Sequence, residues 1–283
     1  MKKIVLPLTL GVVVLGFMAL FMIKVSMDFR LVLTLSSILL FLSGLLVSHN
    51  SNTITSALFI SVPYSLVFSY FLYSQIPSLI CFVLFYILAA WYGLRIKREP
   101  SKRNLAQLSG FIVLITCMDA FIIPSLISKD LTDYPNQKVE PFTMYNMSKE
   151  GTESTALKNK VVVVDFMGTW CKPCILELRE LDKVQEYFNN DPEVEFYVIN
   201  SSEAGDTPEK MNKFISNNDY DFNYGFDYDQ QLVKQFGLRG VPYLFIFDKH
   251  GKLRYKHVGY NPGESDFSKK LIETIKELKS LDV

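Results

Sequence analysis

The sequence predicts two parts of different fold class, an all-α transmembrane region of about five helices followed by a soluble α/β domain. Residues 1–128 are mostly apolar and carry nine Lys or Arg against three acids, whereas residues 129–283 carry 20 bases and 26 acids. The second part also alternates apolar strand-like runs with stretches at helical spacing, which is typical of α/β domains. A chain of 283 residues has room for both parts.

Five apolar stretches of the first part approach the length of about 20 residues that a membrane-spanning helix needs. They are Ile4–Ile23, Leu31–Val47, Ile54–Tyr73, Ile76–Leu94 and Leu105–Ile127. The first follows Lys2 and Lys3, as a secretory signal would, but its long apolar run lacks a clear small-x-small cleavage site, which favours an uncleaved span. Only Ser74 and Gln75 separate the third stretch from the fourth, so a tight hairpin is expected there.

Basic residues in short loops predict the orientation of these spans, because cytoplasmic loops carry an excess of Lys and Arg. Five of them lie between the fourth and fifth spans, namely Arg95, Lys97, Arg98, Lys102 and Arg103. If this loop is cytoplasmic, Lys2 and Lys3 are cytoplasmic too and everything after Ile127 is outside. Lys24 and Arg30 would then lie outside, against the rule, but the larger cluster outweighs them. We therefore expect a multi-pass protein of the cytoplasmic membrane, with a cytoplasmic N-terminus and an extracytoplasmic soluble domain.

The domain boundaries and the broad classes of partner follow from composition. Residues 1–128 are expected to be the membrane region, residues 129–138 a polar linker around Asp133 and Pro135, and residues 139–283 the soluble domain. The lipid bilayer is the expected partner of the first part. A nucleic-acid partner is not expected, because the basic residues of the first part lie at the edges of apolar runs and the second part is acidic.

The pattern of apolar residues in the soluble part predicts strands and helices in a defined order. They are a strand at Val161–Phe166, a helix at Lys172–Phe188, a strand at Val194–Ile199, helices at Pro208–Asn217 and Gln230–Phe236, strands at Tyr243–Phe247 and Leu253–Val258, and a helix at Ser265–Lys279. The first strand is rich in β-branched residues, as in strands that are buried on both faces. Thr207 before Pro208 is a helix start, Gly237 is a helix end, and Gly251 marks a turn.

The reactive cysteines are predicted at the junction of the first strand and the helix that follows it, in the segment Trp170-Cys171-Lys172-Pro173-Cys174. A Cys-x-x-Cys that follows a buried strand and opens a helix is a redox motif. The unpaired N–H groups and the dipole of a helix N-terminus stabilise a thiolate, and can lower a cysteine pKa from about 8.5 to between about 3.5 and 7.5. Lys172 adds a positive charge. We expect Cys171 to attack and Cys174, one turn inward, to resolve the mixed disulfide.

A zinc site is the alternative for this pair, but zinc normally needs four ligands. The sequence has no second Cys pair, and His49, His250 and His257 are expected at the surface, so neither a metal nor any cofactor beyond a redox-active Cys171–Cys174 disulfide is expected. The other cysteines, Cys81 and Cys117, lie in apolar spans. Their expected depths differ by about 8 Å at a rise of 1.5 Å per residue, which is too far for a disulfide, so we do not expect an electron relay.

The segment Val-Asp-Phe-Met-Gly-Thr-Trp-Cys-Lys-Pro-Cys resembles the active-site segment of thioredoxins. It is most similar to the membrane-tethered extracytoplasmic thiol–disulfide oxidoreductases of the TlpA/ResA type. Pro242, preceded by Gly and Val, strengthens the resemblance, because the family keeps a cis-proline there that faces the disulfide. The resemblance covers roughly residues 139–281 and implies a thioredoxin-like fold with a central mixed sheet flanked by helices. The stretch between Val198 and Leu238 resembles the strand–helix insertion of this family.

The resemblance also implies roles for two acids. Asp165, six residues before Cys171, matches the buried aspartate of thioredoxins, whose pKa would be raised and which could shuttle the proton of Cys174. The alternative is an acid at a strand end that reaches solvent. Glu177 matches the active-site glutamate of the ResA-type proteins, and its alternative is a solvated helix glutamate. Arg179 is a departure, because the family often has a helix-kinking proline there, and a straighter helix would move Glu177 relative to the sulfur atoms.

A groove for the substrate thiol is expected around the motif. Its expected lining residues are Trp170, Lys172, Pro173, Val241 and Tyr243, with aromatic core packing as the alternative for Trp170 and Tyr243. The resemblance implies dithiol–disulfide exchange on extracytoplasmic proteins in the reducing direction, for example toward apocytochrome c thiols. Such a cycle also needs a membrane or extracytoplasmic electron donor.

Three other functions fit parts of the sequence less well. A thiol peroxidase would have a proline shortly before Thr169, and a copper-delivery protein would have a wider Cys spacing with a ligand His, and neither pattern is present. A membrane sensor or transporter that is regulated by a redox-active domain is the main alternative. It rests on Asp119, because an acid deep in a span is costly and commonly functional. A buried hydrogen bond to a tyrosine or serine of another span is the favoured account of Asp119.

Overall fold

The computed structural model describes residues 2–25, 28–47, 52–75, 82–98, 101–189, 191–264 and 266–281. The chain divides into two compact units, Met1–Asp130 with Asn261–Ser265 and Leu131–Tyr260 with Asp266–Val283. Cys81 and His49 lie outside the described residues, as does the side chain of Asp119. Cys117 is exposed and free. The absence of an electron relay and the role of Asp119 therefore stay predictions.

The first unit is built from helices. They are α1 Lys2–Lys24, α2 Phe29–Leu46, α3 Thr53–Gln75, α4 Phe82–Arg98, α5 Lys102–Cys117 and α6 Ile123–Leu131, with a π-helical stretch at Met118–Ile122. Helices thus lie at all five predicted positions. Three of them, over Ile4–Lys24, Phe29–Leu46 and Thr53–Tyr70, are long and apolar enough to cross a membrane among the described residues, and two shorter apolar helices cover Phe82–Ile96 and Ala106–Cys117. The count of five spans stays a prediction.

Two glycines allow a close approach of α2 and α4. A Cβ on Gly44 would lie 2.4 Å from the carbonyl oxygen of Ala90, and a Cβ on Gly93 would lie 2.1 Å from that of Phe41. Neither position has space for a side chain, so backbone packs against backbone. Small residues make the same kind of contact between helices in membranes, where packing rather than hydrophobic burial drives association.

The second unit contains nine strands within its described residues. They are β1 Thr132–Asp133, β2 Gln137–Lys138, β3 Thr143–Tyr145, β4 Gly151–Glu153, β5 Val161–Met167, β6 Val194–Asn200, β7 Asn223–Phe226, β8 Tyr243–Phe247 and β9 Lys252–Val258. The main sheet has the order β1-β9-β8-β5-β6-β7, with β2 also on β9, while β3 and β4 form a separate hairpin. The sheet is mixed, because β5, β6 and β7 are parallel and β8 is antiparallel to both β5 and β9.

Helices cover both faces of this sheet. They are α7 Lys172–Tyr187, α8 Pro208–Ser216, α9 Gln231–Phe236 and α10 Phe267–Ser280. All seven residues of β5 are buried, and alternate side chains point to opposite faces. Val163 packs in one core with Leu178 of α7 and Leu271 of α10. Val164 packs on the other face with Leu232 of α9. The central strand is therefore enclosed on both sides.

The strands and helices that the sequence predicts for the soluble part are confirmed within two residues at each end. The helix start at Thr207 is also confirmed, because its side chain accepts a hydrogen bond from the Lys210 N–H and caps α8. The sequence pattern did not locate five strands, namely β1, β2, β3, β4 and β7, although β7 lies in the stretch between Val198 and Leu238, where the resemblance implies an inserted strand and helix. They have two to four residues each, which is too short for an alternating pattern to be visible. Two of them, β1 and β2, lie within the expected linker.

The surface position that was expected for His257 is wrong, whereas His250 is exposed as expected. His257 is fully buried, and its Nδ1 lies 2.8 Å from Oγ1 of Thr132. Its ring also packs edge-on against Phe267. The prediction failed because β1 pairs with the end of β9, with Thr132 opposite His257. That strand is invisible in the sequence pattern.

The close approach at Gly93 gives a stability prediction for the first unit. Gly93→Ala should lower the free energy of unfolding by roughly 1–3 kcal/mol, because the new Cβ overlaps the Phe41 carbonyl and forces the two helices apart. Gly110→Ala in α5 is the matched control, since a Cβ there meets nothing within 4 Å and alanine favours a helix by about 1 kcal/mol. Thermal unfolding of the full chain in detergent, followed by helical circular dichroism, measures both. Equal stabilisation by the two substitutions would contradict the close packing of α2 against α4.

Candidate active site

Cys171 and Cys174 form a disulfide at the N-terminus of α7, with 5.3 Å between their Cα atoms. Cys171 is the N-cap of the helix, and the backbone N–H of Cys174 donates a hydrogen bond to Cys171 Sγ over 3.2 Å. Pro173 lies in the first helical turn, where its missing N–H leaves no hydrogen bond unmade. Both cysteines are buried, Cys171 at 3% exposure and Cys174 completely. The N-terminus of α7 therefore lies at Sγ of Cys171, the cysteine that is predicted from the sequence to attack the substrate.

The turn between β5 and α7 brings Trp170 next to the disulfide. The Cys171 N–H donates to the Gly168 carbonyl over 3.0 Å, which closes the turn. A Cβ on Gly168 would lie 2.8 Å from Trp170 Nε1, so the indole folds back over this glycine. The indole N–H donates to the Glu203 carbonyl over 3.2 Å. Trp170 is nevertheless 51% exposed, so its indole presents an aromatic surface on the residue before Cys171 instead of filling the core.

The segment before β8 faces the disulfide from the other side. Cys171 Sγ lies 3.7 Å from the carbonyl oxygen of Val241. The Val241–Pro242 peptide bond is cis, the isomer that the resemblance implies. Tyr243 is half-buried, and the Lys256 ammonium lies 5.8 Å from its ring centroid. The structure thus brings Val241 to the sulfur of Cys171 and sets Pro242 and Tyr243 directly after it in the chain.

Asp165 lies in the middle of β5 and is fully buried. Its side chain points to the same face as Val163 and Met167, the face whose core includes Cys174. Burial raises the pKa of Asp165 to about 8. Among the described residues, none donates a hydrogen bond to either carboxylate oxygen. The alternative of a strand-end acid that reaches solvent is therefore excluded.

Glu177 is also fully buried, one helical turn after Cys174 on α7. The alternative of a solvated helix glutamate is therefore excluded. The helix continues without a break through Arg179, which is exposed, so the missing proline does not bring Glu177 to the surface. Lys172 is exposed at the start of the same helix. The structure thus buries two acids near the disulfide and leaves the lysine in solvent.

A loop after β6, residues 201–206, also contacts the active-site turn, a contact that was not predicted from the sequence. The Asp206 carboxylate accepts hydrogen bonds from the Thr169 N–H and the Thr169 hydroxyl over 2.7 and 2.5 Å. It also accepts one from the Asn200 side-chain amide over 2.8 Å. An aspartate after Ala and Gly resembles any turn residue, so the sequence carries no signal for this contact.

A disulfide of this kind, at the start of the helix that follows the central strand of a mixed sheet, defines a thioredoxin-like thiol–disulfide oxidoreductase. The Redoxin family model matches residues 135–271. The C-terminal half of the chain is therefore a Redoxin domain with a thioredoxin-like fold. The predicted fold class and the predicted enzyme class are both confirmed for this half.

Known proteins with similarity to the chain carry the same kind of activity in their names. The thiol-disulfide oxidoreductase ResA of Bacillus thuringiensis subsp. konkukian is 24% identical over 154 residues, which are 54% of this chain and 87% of that protein. ResA of Bacillus subtilis is 23% identical over 158 residues, which are 54% and 83% of the two chains. Enzymes of this class act on protein thiols or disulfides.

Among solved structures, the chain is similar to a putative thiol:disulfide interchange protein DsbE from Chlorobium tepidum. The TM-score is 0.45 at 22% identity, over 52% of this chain and 99% of the other. StoA from Bacillus subtilis has a TM-score of 0.41 at 20% identity, over 49% of this chain and 98% of the other.

The raised pKa of Asp165 gives a prediction of pH-dependent stability. The folded chain keeps a proton on Asp165 up to about pH 8, whereas the unfolded chain releases it near about pH 4, so unfolding releases a proton between these values. With the disulfide intact, the free energy of unfolding should fall as pH rises through this window, by at most about 1.4 kcal/mol per pH unit from this group.

Asp165→Asn is the matched comparison, because it keeps the shape of the side chain and cannot ionise. The unfolding midpoint of the full chain in detergent, measured from pH 5 to pH 8, should fall more steeply for the wild type than for Asp165→Asn. Parallel profiles for the two proteins would mean that Asp165 ionises at its ordinary pKa in the folded state.

Proposed function

We propose that this chain is a membrane-anchored thiol–disulfide oxidoreductase that reduces disulfides of extracytoplasmic proteins through Cys171 and Cys174. One observation carries the proposal. The disulfide lies at the N-terminus of α7, where the Cys174 N–H donates to Cys171 Sγ, with the Val241 carbonyl 3.7 Å from the same sulfur. Half-exposed Trp170 lies beside it as a contact surface for a partner.

The reaction starts from the dithiol form. The Cys171 thiolate, stabilised by the helix N-terminus, attacks one sulfur of a substrate disulfide, and the other sulfur leaves and takes a proton. A mixed disulfide now joins Cys171 to the substrate. Cys174 loses its proton and attacks Cys171 Sγ, which releases the second substrate thiol and restores the Cys171–Cys174 disulfide. One substrate disulfide has then been reduced and the enzyme dithiol has been oxidised.

Asp165 is the proposed proton acceptor for Cys174. Its carboxyl group faces the same side of the sheet as Cys174, inside the protein and away from bulk water. A group with a pKa near 8 is mostly protonated at neutral pH, so the acceptor is its ionised fraction, whose affinity for a proton is close to that of a thiol with an ordinary pKa of about 8.5. Glu177, one turn from Cys174, is proposed to assist in the same buried environment.

Each turnover leaves the enzyme oxidised, so the cycle needs two electrons from a membrane or extracytoplasmic dithiol donor. The names of the ResA relatives support thiol–disulfide exchange as the activity. The resemblance to the TlpA/ResA type extends the proposal to oxidised envelope proteins, including apocytochrome c, as substrates. A substrate disulfide would approach along Trp170, the residue before Cys171, and along Val241, whose carbonyl oxygen lies 3.7 Å from Cys171 Sγ. Tyr243, two residues after Val241, is the third proposed contact.

The membrane part of the proposal rests on the first unit. Three helices there are long and apolar enough to span a bilayer, and many of their large apolar side chains are exposed, as contact with lipid requires. The basic cluster at residues 95–103 supports a cytoplasmic loop and hence an extracytoplasmic Redoxin domain.

The proposed function predicts different roles for the two cysteines. The full chain in detergent, supplied with dithiothreitol, should reduce a model protein disulfide, and Cys171→Ser should lose this activity. Cys174→Ser should instead accumulate a mixed disulfide with the substrate, detected on a non-reducing gel. Cys117→Ser is the control, because Cys117 is a free cysteine in the first unit, and it should keep wild-type exchange. Equal trapping by both active-site variants would reverse or remove the assignment of attacker and resolver.

The proposed orientation predicts the activity of reporter fusions in cells. Alkaline phosphatase fused to the C-terminus of the full chain should be active, and green fluorescent protein fused there should be dark, because phosphatase needs the extracytoplasmic side. Fusions after Ser101, within the basic loop, should give the opposite pattern. A fluorescent C-terminal fusion would exclude an extracytoplasmic Redoxin domain.

A further inference from the structure

We propose that Asp206 is a positioning residue for the redox pair, which holds the turn from Gly168 to Cys171 and thereby stabilises the disulfide relative to the dithiol. This inference rests on the proposed exchange at Cys171 and Cys174. It concerns a residue 32 positions after the motif, on a different loop.

Asp206 binds both hydrogen-bond donors of one turn residue, Thr169, and we call this contact the Asp206 clamp. One carboxylate oxygen of Asp206 accepts the Thr169 N–H over 2.7 Å, and the other accepts the Thr169 hydroxyl over 2.5 Å. Asp206 is only 8% exposed, and hydrogen bonds to an ionised acceptor are about twice as strong as neutral ones. Both donors of Thr169 are therefore fixed, two residues before the attacking sulfur.

The same loop holds the turn at two further points. The Ser201 N–H donates to the carbonyl of Met167, where β5 ends, over 2.9 Å. The Glu203 carbonyl accepts the indole N–H of Trp170 over 3.2 Å. With the clamp at Thr169, the loop thus contacts the start, the middle and the exposed aromatic residue of the turn.

The loop is itself anchored to the sheet, so it can act as a support. The Asn200 amide at the end of β6 donates to the Asp206 carboxylate over 2.8 Å. The Ser202 N–H donates to the Asn200 side-chain oxygen over 2.8 Å, and the Ser202 hydroxyl donates to the Asp227 carbonyl over 2.9 Å. None of these contacts involves the disulfide, so they are available in both redox states.

The clamp matters most when the disulfide is open. In the oxidised form the S–S bond itself holds the two sulfur atoms together. In the dithiol form the position of Cys171 depends on non-covalent contacts, of which the Cys171 N–H to Gly168 carbonyl bond and the Asp206 clamp are two. A fixed turn keeps the thiols close and favours ring closure, and the negative charge of Asp206 disfavours the Cys171 thiolate. Both effects stabilise the disulfide.

The test measures the equilibrium constant for oxidation of the Cys171–Cys174 dithiol by oxidised glutathione, which forms the protein disulfide and two reduced glutathiones. The full chain in detergent carries Cys81→Ser and Cys117→Ser, so Cys171 and Cys174 are its two remaining cysteines and alkylation reports their redox state by mass. Asp206→Ala should lower the constant by about tenfold, which corresponds to a rise of about 30 mV in the reduction potential. Asp206→Asn should lower it less, because an amide can still bind both groups of Thr169 while the charge is lost.

A matched control separates positioning from general loosening of the loop. Asp227 is a second buried aspartate beside this loop, whose carboxylate accepts the Leu232 and Val233 N–H groups and does not contact the turn. Asp227→Ala should change the constant by less than threefold. If Asp206→Ala does not fold, Thr169→Val removes one of the two clamped donors and should lower the constant at least threefold.

Three results would overturn the inference: a change of less than threefold in Asp206→Ala, an equal fall in Asp206→Asn and Asp206→Ala, or an equal fall in Asp227→Ala. The first would exclude a role for the clamp, the second would assign the effect to charge alone, and the third to loosening of the loop. Failure of the parent protein to exchange with glutathione at all would instead contradict the proposed function.

Discussion

The junction of β5 and α7 is the constraint on which the rest of the structure depends. β5 is buried along its whole length, and it ends in a short turn from which α7 starts. The first cysteine therefore lies at the N-terminus of α7, next to the backbone N–H groups that have no partner within the helix. The strands on either side then supply the remaining parts of the site, Val241 before β8 and the Asp206 loop after β6.

Two acidic side chains are buried in the same interior as the sulfur atom of Cys174. The interior beneath the disulfide holds Asp165 and Glu177, and both side chains are fully enclosed. Desolvation favours the neutral form of Asp165, so this carboxyl group keeps its proton under conditions where an exposed aspartate would be ionised. We propose that Cys174, which must become a thiolate in the same interior, exchanges its proton with one of these carboxyl groups instead of water.

The sequence was sufficient for the main strands, the long helices and the redox motif, because each has a local signal. The β-branched run at Val161–Phe166 and the start signal at Thr207 are of this kind. Long-range contacts have no such signal. The burial of His257 depends on Thr132, 125 residues earlier, and the clamp on Thr169 depends on Asp206, so neither could be inferred from neighbouring residues. The environment of Asp165 was predictable only through the resemblance of the motif to thioredoxins.

The pairing of β1 and β2 with β9 has a consequence for how the Redoxin domain can be isolated. Residues 132–133 and 137–138 cover the outer side of β9, with Thr132 opposite His257 and Gln137 opposite Leu253. A fragment cut at residue 139 would lack these partners and would expose a row of unpaired N–H and C=O groups along that side. Open strands of this kind pair with other chains, so such a fragment is prone to aggregate. The segment that joins the two parts of the chain thus also protects the sheet.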